Sequence, residues 1–344
     1  MRYLSLFSGV EAATLAWKPM GWKPIAFAEF DAFPSVVLAH HYPDVPNLGD
    51  VTKIEGSRYC GTVDLIVGGS PCQGFSVAGE RLGLDDPRSA LALAYVRLLS
   101  EVRPRWFVWE NVPGVLSTND GEDFRAFIEK ITEIGYGVSW RILDAQYVRV
   151  PGFERAIPQK RRRIFVVGYL GDWLKPAKVL FESKSLSGSF ESGTEKGQTI
   201  AYFHQRSSDK SNAMRPHIFK LRSGCEGGGK GYLGQDGMSF TLSCNNDQYL
   251  MTPQGLVRKL TPLECERLMG FPDEYTKVPY RGKSADDCPD SLRYKACGNS
   301  MCVNVMRWIG LRIQEVDSSI QSKSSQPLKS DSKKGDEPHG LDIH

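Results

Sequence analysis

Residues 63–76 have the sequence VDLIVGGSPCQGFS, in which an apolar, β-branched run ends in a turn rich in glycine and proline. The run over residues 63–67 is typical of a short buried strand. Cys72 therefore follows the carboxyl end of a strand, which is where open α/β sheets bind their ligands. A thiol close to free backbone N–H groups is favoured as a reactive thiolate, although free cysteines are commonly buried residues with no chemical role.

Two further strand-like runs lie next to polar residues. Residues 105–109 (RWFVW) lead into Glu110 and Asn111, and residues 163–168 (RIFVVG) continue from the basic segment 158–163 (PQKRRR). Because the strands of an open sheet bring their ends together, a nucleophile, a carboxyl group and a cationic cluster are predicted to lie close to one another.

The alternation of strand and helix begins at the start of the chain and continues to about residue 168. Residues 3–7 (YLSLF) form a strand pattern, a turn follows at Ser8 and Gly9, and residues 25–28 (IAFA) form a second strand that ends at Glu29. An acidic residue about 20 positions after the first turn is typical of sites that bind ribose hydroxyls. The pattern predicts an α/β fold with a doubly wound sheet.

The segments SPCQ (70–73), ENV (110–112) and QKRRR (159–163) resemble, in the same order, three signature motifs of the DNA (cytosine-5)-methyltransferases. The resemblance extends from Tyr3 to about Ile309, which is nearly all of the chain outside its C-terminal tail. It implies a Rossmann-like S-adenosylmethionine-dependent methyltransferase sheet with a smaller target-recognition lobe. It also implies an enzyme that flips cytosine out of duplex DNA and methylates C5 in a specific short sequence.

The resemblance assigns catalytic roles by position. Cys72 is expected to attack C6 of the cytosine, which turns C5 into an enamine-like carbon that can accept a methyl group. Glu110 is expected to hydrogen-bond or protonate N3, while Arg161 and Arg163 hold O2 and orient Glu110 or a phosphate. The loop expected to close over the base begins with Gln73, Gly74, Phe75 and Ser76.

The implied methyl donor is S-adenosylmethionine. No metal is implied, since the eight cysteines and six histidines show no zinc-ligand spacing. By motif, Glu29 binds the ribose and Asp50 the adenine amino group. The other residues expected around the donor are Phe7, Ser8, Gly9, Phe30, Val51, Leu91, Asn299 and Ser300. The first loop departs from the family pattern at Glu11 and Ala12, where further glycines are common.

Composition and motifs divide the chain into four parts. These are residues 1–171, the catalytic and cofactor-binding domain; 172–257, the target-recognition lobe; 258–316, which supports the lobe and returns to the catalytic domain; and 317–344, a disordered tail rich in Ser, Lys and Asp. Within the third part, Thr261 opens a capping box, and residues 299–316 are predicted to form the final helix. Residues 147–158 are longer than the corresponding segment of the family and predict an extra loop near the DNA.

The net charge is only +3 over 344 residues. DNA contact must therefore come from clustered cations such as those of residues 155–163. No run of 18 apolar residues and no signal-like N-terminus are present, so no membrane segment is expected. The resemblance implies a monomer that acts on double-stranded DNA in the bacterial cytoplasm, which suits the cysteine usage. It is compatible with a restriction-modification system, in which an endonuclease acts on the same site, and with an orphan or phage-borne enzyme.

Three other functions compete with this interpretation. A tRNA cytosine-5 methyltransferase would share Cys72, Glu110 and the donor site, although Ser70 and the lobe favour DNA. A catalytically inactive binding module would have no need of an intact set that includes Arg163. A nicotinamide-dependent dehydrogenase fits Glu29, but no complete G-x-G-x-x-G follows the first strand.

Overall fold

The computed structural model describes residues 1–70, 87–181, 216–223, 230–252 and 254–324. The strands are β1 (Arg2–Leu6), β2 (Lys23–Ala28), β3 (Leu65–Gly68), β4 (Trp106–Asn111), β5 (Tyr136–Asp144), β6 (Gln159–Lys160), β7 (Arg162–Leu170), β8 (His217–Ser223), β9 (Lys230–Asp236), β10 (Ser239–Phe240), β11 (Tyr249–Met251) and β12 (Val257–Lys259). The α-helices are α1 (Ala12–Trp17), α2 (Ala32–His41), α3 (Pro87–Val102), α4 (Glu122–Glu133), α5 (Leu174–Leu180), α6 (Pro262–Met269), α7 (Asp290–Asn299) and α8 (Val303–Ser324).

The main sheet has six strands in the order β2-β1-β3-β4-β7-β5. Strands β1 to β4 pair in parallel, whereas β7 runs antiparallel to both β4 and β5. The chain moves outward from β1 to β2 and then returns to place β3 on the other side of β1, which creates a switch point at the carboxyl ends of β1 and β3. The predicted doubly wound α/β fold is confirmed.

Each face of the main sheet buries its own hydrophobic core. Successive side chains of a strand point to opposite faces, so Trp106 and Val108 of β4 join one core and Phe107 and Trp109 join the other. The first core is covered by α1, α5 and α8 and the second by α3 and α4. The apolar, β-branched and aromatic content of the predicted strands is explained by burial on both faces.

The C-terminal region differs from the prediction of one helix over residues 299–316. Helix α7 ends at Asn299, and α8 begins only at Val303. Ser300 is extended (φ −80°, ψ 160°), which breaks the helix predicted over residues 299–316. Helix α8 packs on α1, where the indole Nε1 of Trp17 donates to the carbonyl of Met306 at 2.8 Å.

The disordered tail was expected to begin at Asp317, but α8 continues beyond this residue to Ser324. Asp317 is buried. Its Oδ1 accepts hydrogen bonds from Nη1 of Arg105 at 2.9 Å and from Nε1 of Trp106 at 3.1 Å. These contacts with the main sheet explain why a polar sequence remains helical here.

Replacing Asp317 by alanine is expected to lower the free energy of unfolding by about 1–3 kcal/mol, because the buried indole N–H of Trp106 loses its acceptor. Urea denaturation measures the change. The matched control is Glu315→Ala, which removes an exposed ion pair with Arg312 and should cost less than about 1 kcal/mol. Equal stabilities of the two variants would contradict the stabilising role given to the hydrogen bonds of Asp317.

The segment predicted to be the target-recognition lobe forms most of a four-stranded antiparallel sheet in the order β12-β11-β8-β9, whose last strand, β12, extends past residue 257, the predicted end of the lobe. The short β10 pairs in parallel with β6 and so joins the lobe to the basic segment that enters the main sheet. The capping box predicted at Thr261 is present: its hydroxyl accepts from the N–H of Glu264, whose carboxylate accepts from the N–H of Thr261. Among the described helices, none combines the length and apolar character needed to cross a membrane.

Candidate active site

A cavity of about 880 Å³ opens at the carboxyl ends of β1 to β4. Parallel strands end on the same edge of a sheet, so residues distant in sequence meet there. One wall carries Phe7, Gly9, Glu29, Phe30, Asp50 and Val51, and the opposite wall carries Gly69, Ser70, Glu110, Asn111, Arg161 and Arg163. Leu91 of α3 and Asn299 of α7 complete the predicted residues that line it.

Two carboxylates define the first wall. Glu29 follows β2 and accepts hydrogen bonds from the N–H groups of Gly9 at 2.8 Å and Asp31 at 2.7 Å. Burial raises the pKa of Glu29, and the hydrogen bonds from backbone N–H groups oppose that rise. Asp50 accepts from the hydroxyl of Thr52 at 2.7 Å and from its N–H at 3.0 Å, and these bonds lower the pKa of Asp50. Both carboxylates therefore have fixed orientations at the cavity wall.

Phe30 is 78% exposed, although it is a large apolar side chain. It follows Glu29 directly and lines the same cavity. An exposed aromatic ring beside two oriented carboxylates suits a ligand with a flat apolar ring and several hydroxyl or amino groups.

Ser8 and Ser300 do not line the cavity, in contrast to the prediction for donor-binding residues. The hydroxyl of Ser8 donates to the carbonyl of Ser5 at 2.9 Å and accepts from the N–H of Ala28 at 3.1 Å. Ser300 is buried, and its hydroxyl donates to the carbonyl of Met301 at 3.2 Å. Both side chains therefore stabilise neighbouring backbone: Ser8 that of Ser5 and Ala28, and Ser300 that of Met301.

Glu110 and Arg163 form an ion pair on the second wall. Nε of Arg163 lies 3.0 Å from Oε1 of Glu110, whose side chain is only 13% exposed. Burial raises the pKa of Glu110, and the positive charges of Arg163 and Arg161 partly offset this rise. A carboxyl group whose protonated form is favoured by burial can give a proton or a hydrogen bond to a ligand.

Arg161 lies beside this pair but is engaged elsewhere. Its Nη2 donates to the carbonyls of Ser300 at 2.6 Å and Gly298 at 3.0 Å, and its Nη1 to the carbonyl of Leu242 at 3.5 Å. Burial lowers the pKa of Arg161 to about 10. Its Nε is buried and has no acceptor within the described residues, so the contact with the base stays a prediction. The two Nη atoms fix the lobe and the turn after α7 against the main sheet.

Cys72 and the loop residues Gln73, Gly74, Phe75 and Ser76 lie outside the described residues. The chain leading to them is firmly held. Ser70 accepts through its Oγ from Nε1 of Trp109, and through its carbonyl from Nδ2 of Asn111, both at 3.1 Å.

Gly69 brings the chain directly against Glu110. A Cβ atom at this position would lie 2.9 Å from Oε2 of Glu110, so only glycine allows the approach. The described backbone before Cys72 therefore passes next to the buried carboxyl group.

Sequence reasoning assigned no role to three polar residues that line the cavity, Asn111, Asp31 and Lys295. Asn111 holds the carbonyl of Ser70, and its position next to Glu110 was the available signal. Asp31 and Lys295 form an ion pair of 2.7 Å where both side chains line the cavity. Their separation along the chain leaves no local signal for that pair. Within the described ranges, no cluster of three His, Cys, Asp or Glu side chains could hold a metal ion.

The sequence of the chain matches a known protein family. The model of C-5 cytosine-specific DNA methylases matches residues 1–186 and 184–315. The chain belongs to this family. It is 26% identical to the Type II methyltransferase M.HhaI of Haemophilus parahaemolyticus over 331 residues, which cover 91% of this chain and 94% of that protein.

Phage proteins are also similar to the chain. A protein of Escherichia phage P1 named DNA N-6-adenine-methyltransferase is 32% identical over 464 residues, which cover 90% of this chain and 61% of that protein. The orphan methyltransferase M.SPRI of Bacillus phage SPR is 36% identical over 179 residues, which cover 51% of this chain and 39% of that protein. The chain therefore spans only part of the length of these phage relatives.

Solved structures share the fold. A DNMT2 variant of Spodoptera frugiperda superposes with a TM-score of 0.64 at 17% identity, covering 91% of this chain and 99% of the other. The Dnmt2 methyltransferase of S. pombe gives a TM-score of 0.60 at 20% identity, with coverages of 92% and 99%. At these identities the likeness concerns the fold alone.

Proposed function

We propose that this protein is a DNA (cytosine-5-)-methyltransferase that transfers a methyl group from S-adenosylmethionine to C5 of cytosine in a specific short sequence of duplex DNA. The observation that carries the proposal is the buried Glu110–Arg163 pair, which lies against the backbone that leads to Cys72. A nucleophile and an acid on opposite sides of one base are what activation of cytosine C5 requires.

The first wall fits the donor. Its cavity is within the range of about 300–1,000 Å³ that encloses small molecules. The oriented carboxylate of Glu29 suits the ribose hydroxyls, Asp50 suits the adenine amino group, and Phe7 and Phe30 supply apolar ring surface. When bound, S-adenosylmethionine would supply an electrophilic methyl group; the residues of the wall only bind and orient it.

The second wall fits the cytosine. We infer that the thiolate of Cys72 adds to C6 and that the electron density gained at N3 is stabilised by Glu110. C5 then takes the methyl group, and S-adenosylhomocysteine remains as the co-product. Loss of the C5 proton to solvent expels the Cys72 thiolate and restores the aromatic ring. Arg163 holds the Glu110 carboxyl group in place and is close enough to share the O2 atom. Since Glu110 and Arg163 line a cavity, the target base must leave the duplex to reach them.

Methyl transfer can be tested with tritiated S-adenosylmethionine and two substrates, duplex DNA and tRNA. We expect label only in DNA, and 5-methylcytosine as the labelled nucleoside after digestion. Labelled tRNA would favour a tRNA methyltransferase of the same fold. If N6-methyladenine were the product, the chain would have the activity that the name of the phage P1 protein states. No transfer to either nucleic acid, with the donor still bound, would favour a binding module.

We further infer a monomer of the bacterial cytoplasm that acts with or without a cognate restriction endonuclease. The described cysteines, Cys60, Cys244, Cys265, Cys288, Cys297 and Cys302, are all free thiols, which suits a reducing compartment. Gel filtration combined with light scattering checks the monomer.

The lobe at residues 172–257 is proposed to choose the DNA sequence. The sequence of the lobe contains Arg206, Arg215, Lys220, Arg222 and Lys230. The first two lie outside the described residues, whereas Arg222 and Lys230 belong to β8 and β9. Lys220 pairs with Asp247 at 3.3 Å. Any single cation of this kind is expected to contact phosphate, so sequence readout is assigned to the lobe as a whole.

Replacing residues 172–257 by the corresponding lobe of a relative with known specificity is expected to transfer that specificity, since the catalytic and donor residues lie outside the lobe. Sequencing of methylated cytosines reports the outcome. If the chimaera is active but still methylates the original sites, recognition of the DNA sequence would be assigned to residues 147–158 instead.

A further inference from the structure

Glu11 occupies a position in the first loop where the sequence departs from glycine. Its backbone has φ +66° and ψ 64°, a left-handed conformation that side chains other than glycine seldom adopt. The side chain is also 1% exposed. Such a conformation persists only where the surroundings hold it, and it is concentrated at functional sites.

The carboxylate of Glu11 joins β1 to α1. Its Oε2 accepts from the hydroxyl of Ser5 at 2.7 Å, and its Oε1 accepts from both the N–H and the hydroxyl of Thr14 at 3.0 Å. The Thr14 hydroxyl is also 2.6 Å from the hydroxyl of Tyr3. Three hydrogen bonds to one buried carboxylate compensate for the unfavourable backbone conformation.

The loop between Ser5 and Glu11 is fixed at both ends. The N–H of Glu11 donates to the carbonyl of Ser8 at 3.0 Å, and the Ser8 hydroxyl donates to the carbonyl of Ser5 at 2.9 Å. The N–H of Gly9 then donates to Oε2 of Glu29 at 2.8 Å. A continuous set of bonds therefore runs from Glu11 through the loop to the carboxylate at the cavity wall.

We infer that Glu11 is a positioning residue for the methyl donor: it holds residues 7–9 so that Gly9 orients Glu29 towards the ribose. Glu11 does not line the cavity itself, so its effect on binding passes through the loop. The inference rests on the donor site of the proposed function.

The protonation of Glu11 should then affect donor binding near neutral pH. Burial raises the pKa of Glu11 to about 7, while the bonds from Ser5 and Thr14 oppose the rise. The ionised form is the better acceptor for the three donors, so it holds the loop more firmly. Donor affinity is therefore expected to fall as the pH drops below about 7.

The ionisable groups around Glu11 come from four other parts of the chain. Tyr3 of β1, Tyr42 after α2 and Tyr275 after α6 have pKa values raised chiefly by burial, so they stay neutral at pH 7. The fourth is Glu29, whose negative charge contributes to the raised pKa of Glu11. A variant of Glu11 itself is needed to separate its titration from that of Glu29.

The test compares Glu11→Gln and Glu11→Gly by calorimetric titration with S-adenosylhomocysteine between pH 6 and pH 8. This ligand has a neutral sulfur, so direct attraction between the Glu11 charge and a sulfonium is excluded. Glutamine keeps one acceptor oxygen but is neutral, as the protonated carboxyl group is; we expect its affinity at pH 8 to match that of the parent at pH 6, about threefold weaker than that of the parent at pH 8. The change in affinity that the parent shows around pH 7 should be absent from the glutamine variant.

The Glu11→Gly variant has no strain in the left-handed backbone, but it loses all three hydrogen bonds to the carboxylate. Its affinity for S-adenosylhomocysteine is expected to fall by about tenfold or more at pH 8. The matched control is Glu274→Gly, since Glu274 is also left-handed (φ +59°) but lies outside the donor loop. The control should bind as the parent does. Thermal unfolding of each variant separates loss of affinity from loss of fold.

Parent-like affinity in folded Glu11→Gly, or an unchanged pH profile in Glu11→Gln, would overturn the inference. The glutamine profile decides the question if the glycine variant does not fold. A parent protein that fails to bind S-adenosylhomocysteine would overturn the proposed donor site itself, which is a different result from equal binding by parent and variants.

Discussion

Replacement of Cys72 by serine is expected to lower methyl transfer to duplex DNA by roughly 10⁴-fold or more, as is typical when a covalent nucleophile is lost. A serine hydroxyl remains protonated at neutral pH and is a far weaker nucleophile than a thiolate. The described backbone passes beside Glu110 at Gly69 and Ser70, on the way to Cys72. The resemblance to the family assigns the covalent step to the Cys72 thiol, and this assignment is what the variant tests. Incorporation of tritiated methyl groups measures the effect.

The matched control is Cys60→Ser, because Cys60 is exposed and lies outside the cavity. Its activity should equal that of the parent. Binding of duplex DNA and of S-adenosylhomocysteine should persist in Cys72→Ser, which shows that the loss concerns chemistry. Turnover of Cys72→Ser within a few-fold of the parent would remove Cys72 from the mechanism.

Glu110→Gln is expected to lower the rate of methyl transfer by about 10²–10⁴-fold, the usual contribution of one positioned acid. The amide keeps the shape of the side chain but cannot deliver a proton to N3. DNA affinity should change little, since the Glu110 side chain is largely buried within the cavity wall. Single-turnover rates at saturating DNA separate this loss from any change in binding.

Glu122→Gln serves as the control, since Glu122 is an exposed residue at the start of α4 whose ion pair with Arg125 is solvent-accessible. It should retain full activity. A Glu110→Gln enzyme that turned over normally once bound, but had lost affinity for DNA, would show that Glu110 acts in DNA recognition instead.

The parts of the site that the sequence predicted are those set by local pattern. Glu29 directly follows β2 and Glu110 lies near the carboxyl end of β4, and a side chain at a strand end reaches the common edge of the sheet wherever the strand is placed. Asp50, Val51 and Leu91 line the cavity as predicted by resemblance to the family.

The parts that the sequence did not predict depend on contacts between distant segments. Arg161 looked like a base-binding cation, but its partners are the carbonyls of Leu242, Gly298 and Ser300, which only the folded chain brings near. Similarly, the break between α7 and α8 interrupts a helix-compatible sequence. It occurs where Ser300 meets Arg161, and so it is imposed by tertiary structure.

The cavity is assembled from both ends of the described chain, since Gly9 and Asn299 line it together. During translation the two are made at different times. At about 5–20 residues per second, the roughly 290 residues between them take about 15 to 60 s to synthesise. A nascent chain thus carries Cys72, the proposed nucleophile, and Gly9 well before the cavity is complete. Proteins terminated before α7 would lack the cavity residues of that helix, which include Lys295 and Asn299. We therefore expect a ribosome that stops early to release no competent enzyme.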